Sequence, residues 1–67
     1  MYSVHLISSR GEGSYLSFKG KSEWKTKRIA LKHAYDIWAI IVKGRNLWNA
    51  EIVEVENEFG ELVHICK

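Results

Sequence analysis

The chain predicts an α+β domain of ββαββ order, an antiparallel sheet with one helix packed on one face. Two segments of alternating apolar and polar residues, each followed by a glycine-bearing turn, predict two hairpins. A long stretch between them free of glycine and proline predicts the helix. With 67 residues, 46% hydrophobic and 27% charged, the chain is read as a single compact domain, residues 1–67. A chain this short buries only about 60% of its unfolded surface, so most residues serve the fold and little is left for a deep catalytic pocket.

In the first segment Tyr2, Val4 and Leu6 alternate with Ser3 and His5, the pattern of a half-buried strand. The stretch Ser8-Ser9-Arg10-Gly11-Glu12-Gly13 supplies a turn, and the second arm is expected from Ser14 to about Lys19, with Leu16 and Phe18 on one face. A polar loop, 21–25, leads to Thr26, whose hydroxyl suits an N-cap. The helix is expected over 27–43, with Gly44 as the left-handed residue that closes it. On a helical wheel Ala30, Ala34, Ile37, Trp38 and Ile41 share one side, and Arg28, Lys32, Asp36 and Lys43 the other. The two alanines admit close approach to the sheet. Trp38 is expected to make the largest single apolar burial, so that Trp38→Ala costs about 3 to 5 kcal/mol. Ile29, Ile40, Tyr35 and Val42 on the helix shoulders exceed what a solvated helix needs and are compatible with a partner or a homodimer. Beyond a loop at 45–49, Ala50 to Glu56 reads as a strand with Val53 and Val55 facing one way and Ile52, Glu54 and Glu56 the other. Asn57-Glu58-Phe59-Gly60 is a turn, and Glu61 to Cys66 the return arm. One helix covers one sheet face, which leaves the other exposed.

Net charge is only +2, but it is unevenly spread: residues 1–45 hold nine Lys/Arg against three acids, and residues 46–67 one Lys against five Glu. The lone cysteine, Cys66, cannot form an intramolecular disulfide, which points to a reducing, cytoplasmic setting. The N-terminus lacks the pattern of a targeting signal, and the most apolar run, Ile37 to Val42, is too short to span a bilayer, so no membrane partner is expected.

A search for chemistry returns little. His64 and Cys66 share one face of a strand, with His5 as a third ligand across the sheet, but the paired spacings of zinc sites are absent; no metal and no cofactor are expected. Cys66 beside the chain end and Ser8, Ser9 and Ser14 in a turn read as ordinary residues, not nucleophiles. Glu54 and Glu56 are expected to be solvated, with nothing to raise their pKa values for acid/base work, and Gly11-x-Gly13 opens no helix that could cradle a phosphate. The chain therefore reads as a non-enzyme.

Two charged regions remain. Lys19, Lys21, Lys25, Lys27, Arg28 and Lys32 lie within fourteen residues and interleave with Phe18 and Trp24, a pattern that suits a nucleic-acid backbone but also an ordinary solubilising surface. Glu51, Glu54, Glu56, Glu58 and Glu61, with Phe59 at the turn, form an acidic hairpin suited to a basic groove on another protein, or serving only to blunt strand-edge association. Trp24 and Trp48 fall in expected loops, where a wet tryptophan is costly and interface anchors are common; either could also lid the small core.

The strand-turn-strand start, the Thr26-capped helix and the Glu-rich segment from Glu51 to Gly60 together resemble the small one-helix-on-a-sheet proteins that bacteriophages encode to block host machinery, such as RNA polymerase inhibitors and anti-CRISPR proteins. The likeness rests on size, element order and charge patches, with no diagnostic motif. It implies a non-enzymatic inhibitor in the host cytoplasm that acts by occupying a surface, and it carries no functional residue over. The acidic hairpin and the loop aromatics are what select Glu51, Glu54, Glu56, Glu58, Phe59, Trp48 and Trp24 for docking on a host protein or nucleoprotein complex. Direct nucleic-acid binding through the 19–32 basic segment is the alternative.

Overall fold

The computed structural model describes residues 1–45 and 49–67. Among them the ββαββ order is present: β1 (Tyr2–Ser8), β2 (Gly13–Tyr15), α1 (Lys27–Val42), β3 (Ala50–Asn57) and β4 (Leu62–Cys66). The strands form one antiparallel sheet in the order β2-β1-β3-β4, so the first strand of each hairpin lies at the centre and the second at an edge.

The two hairpin loops share one hydrogen-bond scheme. In the first, the Ser8 N–H donates to the Glu12 carbonyl (2.8 Å) and the Gly11 N–H to the Ser8 carbonyl (3.0 Å), while Ser8 Oγ accepts from the N–H groups of Arg10 and Glu12. In the second, Asn57 and Glu61 pair in the same way (3.0 Å), Gly60 donates to Asn57 (3.1 Å), and Asn57 Oδ1 accepts from Phe59 and Glu61. Gly11 and Gly60 take φ of +82° and +78°, a region where a side chain would be strained, so each turn needs its glycine. A short polar side chain at the first position and a glycine three residues on thus specify both turns.

The first hairpin is shorter than its alternation predicts. The β2 ladder ends at Tyr15, after which the Leu16 N–H still donates to Val4 (2.8 Å). Phe18 and Lys21 then pair around a two-residue turn whose central residues, Lys19 and Gly20, both have positive φ, which folds the chain back. The predicted polar loop therefore contains a sheet contact: Trp24 pairs with Tyr2 through two hydrogen bonds of 2.7 and 2.8 Å. That pairing puts the indole on the helix side, 7% exposed and stacked 4.5 Å from the His33 ring. Trp24 thus lids the core, and Trp38, which the wheel marks as the largest burial, is only partly covered.

The helix begins and ends where its caps dictate. Thr26 is extended (φ −117°, ψ 145°), and its hydroxyl accepts from the Ile29 N–H at 3.3 Å. At the other end Gly44 (φ +87°) donates to Ile41 and Arg45 donates to Ile40, each at 3.1 Å, which is a Schellman closure. Ala30 and Ala34 are fully buried against the sheet, where Val4, Leu6, Val53, Val55, Ala50 and Cys66 complete the floor. Leu31, Ile37, Trp38 and Ile41 pack around that centre, and Ile29, Tyr35, Ile40 and Val42 are left exposed. No described helix is long and apolar enough to cross a membrane.

Candidate functional site

Strict alternation in β1 and β3 sends Val4, Leu6, Val53 and Val55 beneath the helix, and Ser3, His5, Ile7, Ile52, Glu54 and Glu56 onto the opposite face. In the register His5 stands directly across from Glu54 and from Tyr15, and Glu54 across from Ile65. One row across the open face therefore reads Tyr15, His5, Glu54, Ile65, with Ile7 and Ile52 paired beside it.

His5 is held on three sides. Its ring stacks on Tyr15 with centroids 4.6 Å apart and planes 18° from parallel. It lies directly over Gly13, where an added Cβ would sit 2.3 Å from His5 Nε2. Gly13 and Leu62 hold equivalent places, each the residue after the closing Glu of its hairpin turn, so the glycine in the first hairpin is what makes room for the imidazole. On the third side His5 Nδ1 lies 3.1 Å from Glu56 Oε1 and 3.8 Å from Glu54 Oε1. The Glu54 and Glu56 side chains keep only 22% and 16% of their exposure, which corrects the expectation that both are solvated. Flanking this cluster is a shallow hollow of about 290 Å³ lined in part by Ser3, Tyr15, Glu23, Glu56 and Glu58.

The other acidic residues are spread out. Glu51 is exposed where the β1–β3 register shifts, and Glu58 is 3.9 Å from the N-terminal ammonium. Glu61 accepts from Asn57 Nδ2 at 3.2 Å, and Phe59 stands at the turn tip, 78% exposed. Among the described residues no glutamate pairs with a lysine or arginine. Trp24 is withdrawn into the core and offers no docking anchor, while Trp48 lies outside the described residues.

Lys19, Lys21, Lys25, Lys27, Arg28 and Lys32 are all exposed. Lys19 Nζ sits 5.5 Å from the Phe18 ring, which itself packs 5.2 Å from His33. The first helical turn contains no acidic residue, so Lys27 and Arg28, with Lys25 just before the Thr26 cap, stand at a helix end that already carries partial positive charge.

His64 and Cys66 do lie on one strand face, but it is the helix-covered face, so His5 cannot join them. His64 Nε2 instead lies 2.9 Å from the Tyr35 hydroxyl, and burial pushes the Cys66 thiol above its ordinary pKa of 9.0. Ser8, considered for nucleophilic chemistry, spends its hydroxyl on the turn. The sequence reading missed the grouping of His5 with Glu54 and Glu56. Their shared alternation face was visible, but the strand register that sets His5 opposite Glu54 was not. Comparison with protein-family models, with curated proteins and with solved structures finds no match to this chain.

Proposed function

We infer that the protein is a non-enzymatic binding module that docks through its open sheet face onto a basic surface of a macromolecular complex, and blocks it as phage-encoded inhibitors of host machinery do. The observation that carries this is the composition of that face. Ile7, Ile52, Ile65 and Tyr15 supply partly exposed apolar area around Glu54 and Glu56, whose charges no lysine or arginine among the described residues neutralises. An apolar patch rimmed by one sign of charge favours a partner of opposite sign through both burial and steering. Phe59 at the neighbouring turn adds an exposed aromatic contact.

The test is capture from a bacterial lysate on the immobilised protein, run side by side with the Glu54→Lys/Glu56→Lys double variant and at two salt concentrations. A captured complex that is lost in the variant and weakens with salt supports the docking face; equal capture by both proteins removes it.

A second reading, direct nucleic-acid binding, is favoured by one feature. Lys25, Lys27 and Arg28 crowd a helix N-terminus where cations oppose the macrodipole, so their placement is not explained by helix stability. Under this reading a gel-shift titration shows affinity that falls steeply with salt and that Lys27→Glu/Arg28→Glu abolishes. Absence of any shift at low salt leaves docking on protein.

A further inference from the structure

We propose that His5, Glu54 and Glu56 form a binding site for a divalent transition-metal cation of the zinc class on the open sheet face. This goes beyond the docking reading and does not rest on it.

The donor geometry is the first reason. One ligand atom from each of the three side chains lies within 4.8 Å of the others, with His5 Nδ1 at 3.1 Å from Glu56 and 3.8 Å from Glu54. Zinc bonds to nitrogen and carboxylate oxygen of about 2.1 Å place neighbouring donors of a tetrahedral shell about 3.4 Å apart, a spacing these two distances straddle. A cation can therefore enter with only small adjustments of side-chain torsions.

Preorganisation is the second. His5 comes from β1 and both glutamates from β3, paired strands at the centre of the sheet. Tyr15 walls the imidazole on one side and Gly13 forms its floor, which fixes Nδ1 toward the carboxylates. The protein's other histidines are engaged elsewhere, His33 between Trp24 and Phe18 and His64 with Tyr35.

Charge is the third. Two largely covered carboxylates share one imidazole, and no lysine or arginine among the described residues approaches them within ion-pair distance. A divalent cation would cancel that excess where the imidazole alone cannot. One nitrogen and two carboxylate donors select a borderline cation such as zinc over magnesium or calcium, which favour all-oxygen shells. Three protein ligands leave a fourth position facing solvent for water or for a partner's side chain.

The test uses the full chain, stripped with chelator, titrated with zinc chloride alone by calorimetry and followed by ¹⁵N NMR of the histidine rings. The expected result is one saturable equivalent, unaffected by excess magnesium chloride, with the His5 Nδ1 resonance moving and those of His33 and His64 still. Loss of even an outer-shell partner weakens metal sites by about 10 to 100-fold, so Glu54→Gln and Glu56→Gln should each lower affinity at least about tenfold, while His64→Asn leaves it unchanged. Glutamine keeps the shape of the side chain, and the NMR readout on the unaltered protein decides the matter without any variant. Absence of saturable binding, a zinc response at His64 in place of His5, or full affinity in both glutamine variants would overturn the proposal. No partner is present in this experiment, so its failure and the failure of the docking reading are told apart.

Discussion

The two faces of the sheet are built from the same strands, yet they are opposite in character. Under the helix, Val4, Leu6, Val53 and Val55 are almost wholly removed from water, and Ala30 and Ala34 let the helix sit directly on them. On the open face the intervening residues are His5, Ile7, Ile52, Glu54 and Glu56, all partly covered but none fully buried. The covered face is apolar because any unpaired polar group there would lose its water. The open face tolerates charge because solvent still reaches the edges of Glu54 and Glu56, and His5 Nδ1 stands 3.1 Å from Glu56. Stability therefore belongs mainly to one face, and the other carries the charged groups.

The sharpest way to break this contrast is to truncate one apolar side chain on each face. Leu6→Ala should cost about 2 to 5 kcal/mol, enough to unfold much of a domain this small, by leaving a cavity under the helix. Ile52→Ala should cost about 1 kcal/mol, since only part of its side chain leaves water on folding. Urea denaturation of the two variants measures both, and equal losses would mean that the faces do not divide the work as described.

A smaller effect sharpens the account of the open face. Gly13→Ala puts a methyl group 2.3 Å from His5 Nε2, so the imidazole must leave its stack on Tyr15. The expected loss is about 1 kcal/mol, the scale of an aromatic pair, read by denaturation together with the loss of ring-current shifts between His5 and Tyr15. The smallest effect lies on the covered face, at alkaline pH. The folded state holds the Cys66 thiol neutral to a higher pH than the unfolded chain does, so the stability this contributes is intact below the ordinary thiol pKa of 9.0 and is lost as pH rises past it. Thiol labelling at neutral pH should accordingly be slow in the folded protein and fast in urea.

Much of this architecture is legible residue by residue. Thr26 and Gly44 bracket the helix within a residue of its observed ends, and the alternation in β1 and β3 sorts Val4, Leu6, Val53 and Val55 from His5, Glu54 and Glu56 without error. The residues proposed for docking are less legible. Trp24 looks like a loop tryptophan because nothing near it in the chain announces its pairing with Tyr2. Glu54 and Glu56 look solvated because the groups that cover them come from other strands.

By itself the chain determined what depends on near neighbours: where a helix is capped, which side of a strand is apolar, and which short polar residue and glycine close each hairpin turn. Only the tertiary structure decided what depends on pairing between distant segments. The register that sets His5 between Tyr15 and Glu54, the gap at Gly13 that admits its ring, and the fold-back at Lys19 and Gly20 that carries Trp24 to Tyr2 belong to that class. The physical reason is that a cap or a strand period is fixed by contacts a few residues apart. Register is fixed by the sum of packing over a whole sheet, which no single stretch of sequence contains.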